Sequence, residues 1–154
     1  MNKPAVYIGT SGYYYEDWRS VFYPPDLPKS EMLTFYSRHF NAVEINATYY
    51  KIPDQKTFQR LADNTPDDFQ IMVKTHQETT HRRRENEQAI KQISEAVQPI
   101  IEKEEFKGFL AQFPYSFKNN EANRKYVVQT RNLLSGKPLF VEFRHESWLK
   151  PQVA

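Results

Sequence analysis

With 154 residues the chain has room for one ordinary domain and not for two comfortable ones. A formal charge of +2, from 21 basic and 19 acidic side chains, supplies no overall field for nucleic acid or an anionic membrane. Cysteine is absent, which excludes a disulfide scaffold and thiolate metal sites, and no apolar run approaches the ~20 residues of a spanning helix.

The opening Met1-Asn2-Lys3-Pro4 runs into a short apolar stretch without a signal-peptide core, so a cytoplasmic protein is the expectation. Residues 5–8 predict a buried strand closed by Gly9-Thr10-Ser11-Gly12. Two glycines around two hydroxyl residues either expose backbone N–H groups to an anion or simply end the strand. Residues 13–23 hold Tyr13, Tyr14, Tyr15, Trp18 and Tyr23 and run into Pro24, Pro25 and Pro28, the composition of an ordered rim. Its rings suit stacking on a base or sugar, or packing over the end of a barrel.

Ser30 is placed to cap a helix whose apolar face is Met32, Leu33, Tyr36 and Phe40. A second strand covers 42–46. Asp54 caps a second helix with Phe58, Leu61 and Ala62 inward, and Pro66 follows it. Strand three covers 69–74. After a polar loop through His76 and His81, a helix over 84–105 carries Ile90, Ile93, Val97, Ile100 and Ile101, with Pro99 set to kink or split it. Strand four covers 108–112. A helix starting at Asn119 or Asn120 ends at Gly136, and strand five covers 139–144.

Five strands alternating with helices predict repeated βαβ units and an α/β fold with parallel strands. The late strand positions are polar: Glu44, Asn46, Lys74, Gln112, Glu142 and Arg144. That pattern fits the mouth of a TIM-barrel-like domain better than an open sheet covered by helices on both faces. A complete barrel takes ~250 residues. The 154 residues are therefore expected to form one domain, the N-terminal portion of an incomplete barrel, self-associating if that barrel stays open.

Several segments, in order, resemble the uncharacterised YecE-like family, domain of unknown function 72. They are Ile8-Gly9-Thr10-Ser11-Gly12-Tyr13 with Trp18; Val43-Glu44-Ile45-Asn46-Ala47-Thr48-Tyr49-Tyr50; Lys74 with the later Thr80-His81; Gln112-Phe113-Pro114-Tyr115-Ser116-Phe117; and Val141-Glu142-Phe143-Arg144-His145-Glu146-Ser147-Trp148. Ala47, Tyr49 and Tyr115 depart mildly from the pattern. The resemblance implies a TIM-barrel-like fold, normally of ~240 residues or more, and implies no activity.

As candidate site residues, Glu44 and Glu142 suit acid and base roles, or structural ion pairs with Lys74 or Arg144. Lys74 and Arg144 suit an anion clamp, joined by the turn Gly9, Thr10, Ser11 and Gly12. Asn46 and Gln112 suit ligand hydrogen bonds, Trp18 a ring contact, and His145 either titration or packing near Trp148. His81 reads as a surface position. No H-E-x-x-H spacing supports a metal, and no cofactor is predicted. The leading expectation is a small anionic, sugar- or phosphate-like ligand handled by paired glutamates, in a hydrolase, lyase or isomerase. Nucleic-acid binding through Arg82, Arg83 and Arg84 is a second, and an inactive truncated remnant a third.

Overall fold

Strand alternation sorts the side chains into two faces. Val43 and Ile45, Ile71 and Val73, and Phe109, Ala111 and Phe113 are buried, while Glu44, Met72, Leu110 and Gln112 between them keep partial exposure. The computed structural model describes residues 5–149. Its strands are β1 (Gly9–Ser11), β2 (Ala42–Ile45), β3 (Gln70–Lys74), β4 (Phe106–Phe113) and β5 (Leu139–Phe143), all parallel and in the spatial order β1-β2-β3-β4-β5.

Sequential order without a reversal sends every right-handed crossover to the same side. A doubly wound sheet would reverse its order and place helices on both faces. The helices are α1 (Met32–Tyr36), α2 (Gln55–Asp63), α3 (Asn86–Ala96), α4 (Gln98–Glu102) and α5 (Glu121–Leu133). Met32, Tyr36, Phe58, Ile90, Ile93 and Ile100 pack under β2 to β4 in the main core. Ala111, Phe113, Phe117 and Trp148 form a smaller cluster with Tyr126, Val127 and Phe143. Among the described residues the other face of the sheet carries no helix. The result is an open arc of barrel type, with β1 and β5 as its edges among the described residues.

Two caps form as the sequence predicts. Asp54 Oδ1 accepts from Thr57 N at 3.0 Å, and Asn120 Oδ1 accepts from Asn123 N at 2.9 Å. Pro99 splits the long helix into α3 and α4 around Val97. That helix starts at Asn86 because residues 78–82 form a wide π-helical turn ending at Arg83, whose φ is 58°.

Other boundaries differ. The first strand is not 5–8 but Gly9–Ser11. Asn41 explains the shift: its Oδ1 accepts from Ile8 N at 2.7 Å and its Nδ2 donates to Val6 O at 2.9 Å, so a side chain takes the place of a ladder. Ser30 is not a cap; it lies inside a 3-10 turn over Lys29–Glu31, which Pro28 starts with its fixed φ. β4 begins two residues early and carries a bulge, with Ile71 opposite Phe106 but Met72 opposite Gly108. Gly108 sits at φ 148°, where a Cβ would meet the Phe140 ring at 2.8 Å.

Candidate functional site

The helix-free face gathers the polar residues in two clusters. In the first, Lys74 at the end of β3 donates from Nζ to Gln112 Oε1 at 2.9 Å. Gln112 on β4 donates from Nε2 to Glu142 Oε2 at 2.6 Å. Arg144, just past β5, donates from Nε to Glu142 Oε1 at 3.3 Å. Strand register makes this row, since Gln112 lies directly opposite Glu142. The bonds hold the Glu142 carboxyl below the usual carboxylate range; the Gln112 bond contributes most, and Arg144 adds to it.

Lys74 ends differently. Among the described residues no carboxylate lies within ion-pair reach of it. Its ammonium stands 5.5 Å from the centre of the Tyr49 ring, and the His81 ring meets the same ring at 5.1 Å between centres, edge to face. His81 is held below the ordinary imidazole pKa, first by desolvation and then by the charges of Lys74, Arg144 and Arg83. The positive charges of Lys74, Arg144 and Arg83 thus all bear on one imidazole, while Glu142 is the carboxylate bonded within the Lys74–Gln112 row.

In the second cluster Ser11 Oγ donates to Glu44 Oε1 at 3.0 Å, and Asn46 Nδ2 donates to Ser11 Oγ. Glu44 therefore pairs with neither Lys74 nor Arg144. Glu44 and Glu142 share the open face but stand on β2 and β5, and among the described residues no hydrogen bond or ion pair joins their clusters. The two glutamates thus face the same side of the sheet, as expected, with β3 and β4 between the strands that carry them. Among the described residues no three His, Asp or Glu side chains group closely enough to hold a metal ion.

In the Gly9–Gly12 segment two of the backbone N–H groups are already engaged. Gly9, Thr10 and Ser11 pair with Ala42, Val43 and Glu44; Thr10 N donates to the Tyr36 hydroxyl at 2.7 Å and Gly12 N to Glu44 O at 2.8 Å. Trp18 packs inside its own loop, its ring 4.8 Å from Tyr15 and 5.7 Å from Phe22. His145 caps a 3-10 turn, Nδ1 accepting from Ser147 N at 3.1 Å, and its ring lies 4.7 Å from Tyr115 rather than on Trp148. In the arginine run, Arg82 reaches Glu78 at 3.4 Å and Arg83 stacks over Phe117 at 5.1 Å. His81 and Tyr49 are the residues that the strand pattern missed, since both lie beyond the strand ends, Tyr49 in a 3-10 turn over Ala47–Tyr49 and His81 in the π-helical turn; Thr80-His81 and Tyr49-Tyr50 were visible only as family-like motifs.

Comparison with known proteins places this arrangement among relatives. Residues 7–154 match the model of a family described as "Protein of unknown function DUF72". The UPF0759 protein YunF of Bacillus subtilis (strain 168) is 30% identical over 152 residues, which are 95% of this chain and 53% of that protein. The crystal structure of a DUF72 family protein from Thermotoga maritima MSB8 superposes with a TM-score of 0.83 at 36% identity, covering 96% of this chain and 58% of that one. A DUF72 family protein from Enterococcus faecalis V583 gives a TM-score of 0.79 at 23% identity, covering 96% of this chain and 54% of its own, a likeness of fold alone. The chain spans about half the length of the curated relative it matches.

Proposed function

The chain belongs to the DUF72 family, and on that premise we propose that its open face binds a small anionic ligand bearing a phosphate or carboxylate, at the strand ends around Lys74, His81 and Arg144. The observation that carries this reading is Lys74. It is a half-buried ammonium steadied by a neutral amide and an aromatic ring, without a carboxylate of its own among the described residues. A cation left in that state gains most from an anion supplied by a ligand. Arg144 adds a planar fork at the rim, and its exposure leaves nitrogens free beyond the one given to Glu142.

In this reading Glu142 accepts a proton from the ligand. Its depressed pKa keeps it ionised near neutrality, which excludes the acid role and makes it a weak base that depends on the ligand's position for its effect. Glu44 contacts a different part of the ligand or none. Nucleic-acid binding draws less support, because Arg82 and Arg83 are already engaged by Glu78 and Phe117. Among the described residues no helix is long and apolar enough to cross a membrane.

Calorimetric titration with a phosphorylated sugar and its unphosphorylated parent tests the proposal. The phosphorylated form is expected to bind in preference, more weakly as salt rises, and Lys74→Met to reduce its affinity by at least about tenfold. Equal binding of the two sugars, or a Lys74→Met variant with unchanged affinity, rejects it.

A further inference from the structure

Thr80 and His81 stand together in the π-helical turn, and their side chains meet: Thr80 Oγ1 lies 2.9 Å from His81 Nδ1. Thr80 is buried, whereas His81 is exposed. Among the described residues the Thr80 hydroxyl has no other hydrogen-bond partner. A buried hydroxyl proton without an acceptor is costly, so this one goes to Nδ1. Nδ1 therefore accepts, and the neutral imidazole carries its own proton on Nε2. Among the described residues nothing receives that Nε2–H, which leaves it as a donor for a group from outside the chain.

Charging the ring is opposed from two sides. A second proton would have to sit on Nδ1 and turn the Thr80 proton back into buried space. Lys74 at the end of β3, Arg144 beyond β5 and Arg83 at the end of the turn add like charge. Of the other groups around it, Tyr49 presents a ring edge to face, and Glu78 of the same turn is taken by Arg82 and the Arg84 N–H. His81 thus stays a neutral donor in cationic surroundings.

We propose that His81 recognises the oxyanion of the ligand through its neutral Nε2–H, beside Lys74, and that Thr80 is the positioning residue that fixes the tautomer for this donation. The inference rests on the anion reading and adds to it the residue that directs a hydrogen bond, where Lys74 supplies charge. It also sets the pH behaviour. A neutral N–H keeps its proton as pH rises past neutrality, where an imidazolium would lose its own and weaken its hold on the ligand.

Nitrogen-15 NMR of the full chain labelled at histidine, near pH 8, reads the tautomer, and His81→Gln identifies the signal. Nε2 is expected to carry the proton and Nδ1 to be bare; in Thr80→Val, protonated Nδ1 should appear beside it. Calorimetric titration with the phosphorylated sugar at the same pH reads the donation. His81→Leu should lose about tenfold in affinity, and His81→Gln, whose amide can offer an N–H, should recover most of it. If the wild-type chain binds the sugar phosphate but His81→Leu binds it equally, the proposal is overturned and the anion reading stands. A proton on Nδ1 in the wild type, or a bare Nδ1 retained in Thr80→Val, overturns it in the same way. No binding by the wild-type chain overturns the anion reading and this inference with it.

Discussion

Gln112 gives its amide proton to Glu142 Oε2 across 2.6 Å, from one strand to the next. Lys74 can only donate and Glu142 can only accept, so an amide placed between them serves both at once. Leucine has a similar size and neither capacity. Gln112→Leu is expected to free both charges, lower phosphate affinity by roughly an order of magnitude, and raise the Glu142 pKa toward its ordinary value. Carbon-13 NMR of the labelled Glu142 carboxyl during acid titration reads this directly. The sign follows from the depressed folded pKa. Glu142 contributes stability above its unfolded pKa and loses it as pH falls through the folded one, and its partial exposure keeps that contribution small. An unmoved titration in Gln112→Leu would mean that Arg144 alone holds the carboxylate.

Glu105 shifts the other way. It is fully buried; Oε1 accepts from Thr65 Oγ1 at 2.7 Å and meets Lys103 Nζ at 3.0 Å, while Oε2 has no partner among the described residues. Burial pushes its carboxyl up, against the opposing pull of the Thr65 and Lys103 contacts. Between the unfolded and folded pKa values the folded state therefore holds a proton that the unfolded state has released. The stability this gives is complete below the unfolded pKa of ~4.3 and is lost as pH rises through the folded pKa. Glu105→Gln keeps an acceptor for Thr65 and cannot ionise, and Lys103 retains its bonds to Ala62 O and Thr65 O. The variant is expected to gain on the wild type as pH rises from about 4 to 8. Urea midpoints across that range decide it, and a constant difference would mean that Glu105 does not titrate there.

The two capped helices allow a plainer test. Asp54→Ala and Asn120→Ala should each cost about 1 kcal/mol, and the two losses should add because the caps share no partner. Ser30→Ala should cost little, since its hydroxyl caps nothing. Chemical denaturation of the three variants and of the double cap variant gives the answer.

The caps and the Pro99 break were legible because their causes lie within four residues of their effects. The alternation that puts Glu44, Gln112 and Glu142 on one face was legible too, since a period of two needs no partner to be read. The first strand was not. Residues 5–8 are apolar enough to look buried, yet Val6 is 69% exposed, and what decides the register is Asn41, more than thirty positions away. Nor does the Gly9–Gly12 segment announce locally where its N–H groups go: that of Thr10 is taken by Tyr36 and that of Gly12 by Glu44 O, both distant in sequence. His81 and Tyr49 meet near Lys74 only after the β2–β3 crossover has folded back, and no local pattern announces that meeting.

Gly9 tests the placement of β1 most sharply. A Cβ built there would stand 1.9 Å from Ala42 O, inside the backbone of the neighbouring strand, which no rotamer can relieve. Gly9→Ala must push β1 off β2, and with it the Thr10 N–H that Tyr36 receives and the Ser11 hydroxyl that Glu44 receives. The expected loss is about 2–3 kcal/mol. Gly136 provides the contrast. Its φ of 83° strains an alanine, but nothing lies within 4 Å of the added carbon, so Gly136→Ala should cost only about 1 kcal/mol. Equal losses in the two variants would place β1 somewhere other than against Ala42, and the Ser11–Glu44–Asn46 cluster would have to be redrawn with it.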